Sequence, residues 1–233
     1  MNIVLLRTLP TGEAWKIDDV RQVVHLVRHV NIQVGDPLKV GILNQARYLT
    51  EVICIEPTCI WVKPLIQHAI PAKIPVTLIV ALPRPKVLRR LVMDSVTLGV
   101  EKLVLLHSYR VDKSYWQSPF LNQLEDYVQL GLEQAGDVFA PDIVLEKRFK
   151  PFVEDSLAVW TKDAPTFVGH PYSEHSMPIA WNQPCQLVIG TEGGFIPYEI
   201  DLMQKNGCQI MTLGNRILRT ETAVATILGR LFI

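Results

Sequence analysis

A chain of 233 residues, 48% of them hydrophobic, can bury a substantial core in one large domain or two small ones. Its 23 basic and 23 acidic residues cancel, which excludes a global cationic field, so any nucleic-acid contact must come from local patches. No uncharged apolar run approaches the roughly 18 residues of a membrane span, and Met1–Arg7 is too short and too soon charged for a signal peptide.

Residues 1 to about 70 read as short strands joined by turns. Arg21–Val30 has helical spacing at Val23, Leu26, Val27 and Val30. Gly35-Asp36-Pro37 signals a turn, and Leu38–Leu43, Tyr48–Glu56 and Cys59–Pro64 follow as predicted strands. Pro64, Pro71 and Pro75 punctuate the exit, which puts a boundary near Lys73 and predicts domains at 1–72 and 73–233.

Beyond Pro75 strands and helices alternate. Val76–Leu82 is apolar throughout, as a strand buried on both faces requires. Lys86–Leu98 is a predicted helix with Val87, Leu88, Leu91, Val92 and Val96 inward, stopped by Gly99 with Val100 packing back. Leu103–His107 is the next strand. Ser118-Pro119 opens a helix with Leu121, Leu124, Val128 and Leu132 as its stripe and Gly136 at its end. Ile143–Leu145 is a strand and Phe152–Trp160 a helix. Strands at Thr166–Gly169, Leu187–Gly190 and Gln209–Leu213 come next, with helices Pro197–Asn206 and Thr222–Phe232 after the last two. Such alternation predicts an α/β fold with a mostly parallel, doubly covered sheet.

Two glycine-bearing turns leave the last two strands, Gly190-Thr191-Glu192-Gly193-Gly194 and Leu213-Gly214-Asn215-Arg216, about twenty residues apart. Ligands of open α/β sheets bind beyond the carboxyl ends of strands, so the two turns are expected to share one pocket. Exposed amides of the first turn suit an anionic or polar ligand edge; a ligand-free tight turn is the competing reading. A phosphate-binding loop would want a lysine, and this turn has none.

The pattern Ile189-Gly190-x-Glu192-Gly193-Gly194, then Leu213-Gly214-x-Arg216-Ile217-Leu218-Arg219-Thr220-Glu221-Thr222-Ala223, resembles the RsmE family, within the SPOUT superfamily. The resemblance is dense in the last third of the chain and diffuse before it. It implies methylation of N3 of a uridine in small-subunit (16S) ribosomal RNA with S-adenosylmethionine as cofactor. It also implies a SPOUT domain with a C-terminal trefoil knot, a PUA-like β-barrel at the N-terminus, and a homodimer in the cytoplasm. The knot turns would lie near 167–171, 190–195 and 213–218, and Val224, Ile227, Leu228, Leu231 and Phe232 of the last helix would either meet the partner subunit or cover the sheet.

On this resemblance the cofactor site comprises His170, Ile189, Gly190, Glu192, Gly193, Gly194, Leu213, Gly214, Ile217, Leu218 and Thr222, with Pro171 beside it. Arg219 is the expected electrostatic catalytic group and Glu221 its partner in positioning, with Thr220 and Thr222; Arg216 is assigned to RNA, or to an ion pair with Glu192 or Glu221. Arg84, Lys86, Arg89 and Arg90 form a basic cluster with no intervening acid, expected to touch RNA phosphates. Lys102, Arg110 and Lys113 extend that cluster. Arg21, Arg28, Lys39 and Arg47 are expected to continue it on the barrel. Trp15, Tyr48 and Trp61 are stacking candidates or core.

Cys54, Cys59, Cys185 and Cys208 lack C-x-x-C spacing and read as four reduced thiols. His25 and His29 lie four apart without a third ligand, so no metal is expected. Thr97, Gly136-Asp137 and Ile196 depart from the family pattern. A different target base is therefore one alternative; the other, a non-catalytic ribosome-associated RNA-binding protein, would need a defective pocket, which neither motif shows.

Overall fold

The computed structural model describes residues 1–232. The chain divides into two units, Met1–Ala72 with Gln129–Ala140, and Lys73–Val128 with Pro141–Ile233. Among the described residues no helix is long and apolar enough to cross a membrane.

The first unit holds strands β1 (Val4–Leu6), β2 (Trp15–Ile17), β3 (Pro37–Ile42), β4 (Ala46–Ile55) and β5 (Ile60–His68). They form a nearly closed barrel-like sheet in the order β1-β3-β4-β5-β2. The β1–β3 pair is parallel and the rest antiparallel, with register shifts in β4 between Leu49 and Thr50 and between Val52 and Cys54. Such irregularities bend a strand and help a small sheet curl. Val4, Ile17, Val40, Ile42, Val52, Ile60 and Val62 fill its core. Trp15 belongs to that core, edge-on to Tyr48 with ring centroids 5.0 Å apart, so neither ring is an open stacking surface. Helix α1 (Val20–His25) starts where Asp19 accepts the Gln22 amide and runs into a π-helical turn, Leu26–Val30, closed by left-handed Asn31.

The end of helix α3 (Leu124–Ala135) contributes to this unit. Glu133 is 2% exposed and accepts both guanidinium donors of Arg21, at 2.7 and 2.6 Å, and the amide of Gln22 at 2.9 Å. Arg47 donates to the Gly136 carbonyl at 2.9 Å. Two of the four barrel cations expected to face RNA are thus spent on internal bonds. No local pattern announces this, because the partners lie 112 and 89 residues away.

The second unit is built on six parallel strands in the order β11-β9-β10-β6-β7-β8. These are β6 (Ile74–Ala81), β7 (Val100–Leu106), β8 (Asp142–Glu146), β9 (Thr166–Gly169), β10 (Cys185–Ile189) and β11 (Gln209–Met211). Leu78, Val80, Leu103, Leu105 and Leu187 are wholly buried, as a sheet covered on both faces demands. Helix α2 (Pro85–Thr97) buries Leu88, Leu91, Val92 and Val96, and Gly99 ends it at φ +82°.

The segment after Ser118 is a 3-10 turn over Pro119–Gln123 before α3 begins, with the Ser118 hydroxyl accepting the Phe120 amide at 3.3 Å. Helical backbone then runs from α4 (Phe149–Pro151) through a π-turn, Phe152–Leu157, to α5 (Ala158–Asp163). Pro151 has no N–H to give an α-ladder, and a π-turn follows it. Helices α6 (Pro197–Lys205) and α7 (Thr220–Leu231) complete the unit.

In α7, Val224, Ile227, Leu228 and Leu231 are at most 2% exposed. They cover the sheet within one subunit and are not free to meet another.

Candidate active site

Strands β11, β9 and β10 lie side by side, and Gly169 is in register with both Ile189 and Met211. The turns that leave them therefore open at one sheet edge, where ligands of parallel sheets bind. They enclose a cavity of about 240 Å³. His170, Ile189, Gly190, Glu192, Gly193, Gly194, Leu213, Ile217 and Leu218 all line it, as do Pro171 and Arg216. Gly214 and Thr222 are not among the lining residues, nor are Arg219 and Glu221.

The first turn is folded onto itself. The Gly194 amide donates to the Thr191 carbonyl at 2.8 Å, and Gly194 sits at φ +70°. A Cβ on Gly190 would stand 3.1 Å from the Gly194 backbone and 3.3 Å from the Phe195 nitrogen. Only glycine leaves that space open without displacing main chain. The second turn is held by Thr212, whose hydroxyl accepts the Gly214 amide at 3.1 Å, with Gly214 at φ +117°. A third fastening joins the two regions: the buried Thr220 hydroxyl, at the start of α7, donates to the Gly190 carbonyl at 3.2 Å.

The walls divide by chemistry. Ile189, Phe195, Leu213, Leu218 and Ile227 give apolar surface. The polar handles are the amides of the glycine turn, the Glu192 carboxylate and Thr191. The Thr191 hydroxyl is buried and has no hydrogen-bond partner among the described residues. A buried hydroxyl is seldom left so. Burial lowers the pKa of His170 below the ordinary imidazole value, so its ring lines the cavity neutral at pH 7.

Glu192 is held by Arg84, whose Nε donates to Oε1 at 2.9 Å. That bond, then the carboxylate's charge, hold the guanidinium yet more firmly protonated. The glutamate is thus paired with the basic residue before α2, not with Arg216. Arg110, in the loop after β7, lines the cavity and donates to the Gly193 carbonyl. It was legible in the sequence only as a member of the basic cluster, although the strand-end rule that singled out the glycine turns applies equally to the end of β7. Gly169 of the expected 167–171 turn and Ala223 of the second motif line the cavity too, as do Tyr172 and Met211, which carried no site signal in the sequence.

Arg219 is the exposed N-cap of α7. Glu221, half-buried near the start of α7, adds its charge to the Glu192 bond that raises the Arg84 pKa and to the burial that raises the Asp94 pKa. Lys86, Arg89 and Arg90 are exposed on α2, with the Arg89 guanidinium 5.9 Å from the Tyr127 ring centroid.

A family profile for the RNA methyltransferase domain matches residues 71–231. The chain belongs to that family. Among curated relatives, the ribosomal RNA small subunit methyltransferase E of Treponema pallidum is 26% identical over 213 residues, covering 85% of this chain and 77% of that one. The enzyme of the same name from Mesomycoplasma hyopneumoniae is 29% identical over 160 residues, covering 66% and 68%. The RsmE resemblance read from the glycine turns therefore holds, with this chain a divergent member. The fold matches that of the Neisseria gonorrhoeae small subunit methyltransferase E bound to S-adenosyl methionine, with TM-score 0.76 and 19% identity over 97% of this chain and 95% of that one. A Legionella pneumophila methyltransferase solved with bound S-adenosylmethionine matches at TM-score 0.75 and 20% identity, over 98% and 96%.

Proposed function

We propose that this RNA methyltransferase transfers a methyl group from S-adenosylmethionine to N3 of a uridine in small-subunit ribosomal RNA. The observation that carries the reading is the single cavity closed by both glycine turns, with apolar walls, exposed amides and the unpaired Thr191 hydroxyl. The names of the Treponema and Mesomycoplasma relatives support the RNA class. Bound in the cavity, the cofactor supplies an electrophilic methyl group.

The chain's own residues supply the rest. Ile189, Leu213 and Leu218 would hold the adenine of the cofactor, with main-chain atoms of both turns available to its polar edge. Thr191 and Glu192 take polar groups of the ligand. Uracil N3 must give its proton to solvent, which spreads negative charge onto the carbonyl oxygens; its lone pair would then bond to the methyl carbon as the sulfur–methyl bond breaks and the sulfonium leaves as a neutral thioether. Arg110 and Arg216, which line the cavity, and Arg219 at the start of α7 stabilise that charge. Glu221, Thr220 and Thr222 help position the start of α7, and Lys86, Arg89 and Arg90 hold RNA phosphates. On the same reading the chain segments at 167–171, 190–195 and 213–218 make the trefoil knot, and two subunits pair through the exposed Thr222, Ala225, Thr226 and Gly229 of α7.

Calorimetry with S-adenosylmethionine should show saturable heat at one site per chain. Light scattering on the same sample should give twice the 26.4 kDa chain mass. Mass spectrometry of small-subunit RNA from cells with and without the gene should differ by one methyluridine. Absence of saturable heat sinks the cofactor assignment; unchanged RNA sinks the substrate, and a single-chain mass sinks the dimer.

A further inference from the structure

The loop after β7 and the first turn of α6 each carry a tyrosine that the fold leaves in solvent. Tyr109 is 70% exposed and Tyr198 45% exposed. Their rings meet edge-to-face, with centroids 6.1 Å apart and an interplanar angle of 69°. A tyrosine pair of this size normally adds to a core or an interface; here a large part of both rings stays open to solvent.

Its placement is fixed from beneath. The wholly buried Glu199 accepts the Tyr109 amide at 2.8 Å through one oxygen and the Ile196 amide at 2.9 Å through the other. One carboxylate thereby ties the loop after β7 to the start of α6. It holds the two rings together before anything binds, so little ordering is left to do on binding.

The next residue along that loop, Arg110, lines the cavity and grips the Gly193 carbonyl. Neither ring lines the cavity, but Tyr109 is one residue from Arg110 and Tyr198 three from Phe195, both of which do.

We propose that Tyr109 and Tyr198 are a stacking platform for an unpaired RNA base at the cavity mouth, next to the base that enters it. This rests on the RNA-methylating reading of the same cavity. The chemistry is that of single-stranded recognition. A base whose neighbour has been drawn out of its stack exposes an apolar face. Aromatic rings replace the lost stacking. Stacking tolerates any base, so the platform positions the strand and leaves sequence choice to the cavity. A protein partner would also favour exposed tyrosines, and the test separates the two.

The probe is a short fluorescein-labelled oligouridylate, read by anisotropy, with S-adenosylmethionine calorimetry on every variant. Tyr109→Ala with Tyr198→Ala should weaken oligouridylate binding about tenfold or more, the worth of one stacked base, and leave cofactor affinity unchanged. Tyr109→Phe with Tyr198→Phe should stay within about twofold of the parent, since stacking needs the ring and not the hydroxyl. Tyr109→Leu with Tyr198→Leu keeps apolar bulk without a ring and should behave as the alanine pair does. Full affinity in the alanine or the leucine pair overturns the platform, as does a parent that does not bind oligouridylate. A parent that binds RNA through these rings but shows no cofactor heat would overturn the methyltransferase reading and leave the platform standing.

Discussion

At the scale of single residues, the site is defined by what is left unsatisfied and by what is left out. Gly190 is required because its missing side chain is the space the turn folds into. Thr191 differs: its γ-methyl is compatible with burial, but its hydroxyl has no partner among the described residues. An unpaired buried hydroxyl costs about 1–3 kcal/mol. Thr191→Val removes that cost, so the ligand-free protein should gain stability, and each kcal/mol recovered is about 2–4 °C in Tm for a chain of this size. On the proposed reading the same change deletes a hydrogen bond to the ligand, worth about 0.5–1.5 kcal/mol, so S-adenosylmethionine affinity should fall about two- to tenfold. Opposite signs in thermal unfolding and in calorimetry are the expected signature. A valine variant that binds the cofactor as tightly as the parent would reduce Thr191 to a packing residue.

At the scale of elements, what the sequence reveals depends on how local the cause is. Helix α2 announces itself through Pro85, an apolar stripe and Gly99, all within one window, and its observed ends fall within a residue of the expected ones. Strand β11 stops at Met211 instead of running to Leu213, because Thr212 turns its hydroxyl on the Gly214 amide. The glycine turns were legible because backbone freedom is written in residue type. The role of α3's last turn was not, since Glu133 makes sense only once Arg21 and Gln22 are beside it. Burial alone would raise the Glu133 pKa; hydrogen bonds from Arg21, Gln22 and Gln129 outweigh it and hold the carboxyl below its ordinary 4.5. A carboxyl depressed on folding stabilises at pH above its unfolded value and loses that contribution as pH falls through the folded value. Glu133→Gln should therefore destabilise the protein at pH 7. Removing one partner of a fully buried pair costs about 3–5 kcal/mol, and the Arg21 side chain is 46% exposed, so about 1–3 kcal/mol is expected here. Urea unfolding should show the gap between parent and variant closing below pH about 4.5; a gap that stays constant into acid would rule out the carboxylate as its source.

At the scale of the whole molecule, zero formal charge sets the terms of RNA binding. With no long-range attraction, affinity for a polyanion depends on the few cations that reach phosphates, and each such contact leaves its mark in salt dependence. On the barrel, Arg21 and Arg47 are engaged internally, and before α2, Arg84 is engaged by Glu192. That concentrates the burden on the exposed Lys86, Arg89 and Arg90. Each phosphate neutralised on single-stranded RNA contributes about −0.7 to the slope of log K against log salt. Replacing these three residues together by glutamine should therefore flatten the slope by about 2 and weaken binding most at low salt, while S-adenosylmethionine heat is unchanged because none of them lines the cavity. A slope that stays as steep after the triple substitution would show that RNA crosses another face, and would detach the basic cluster of α2 from the site it adjoins.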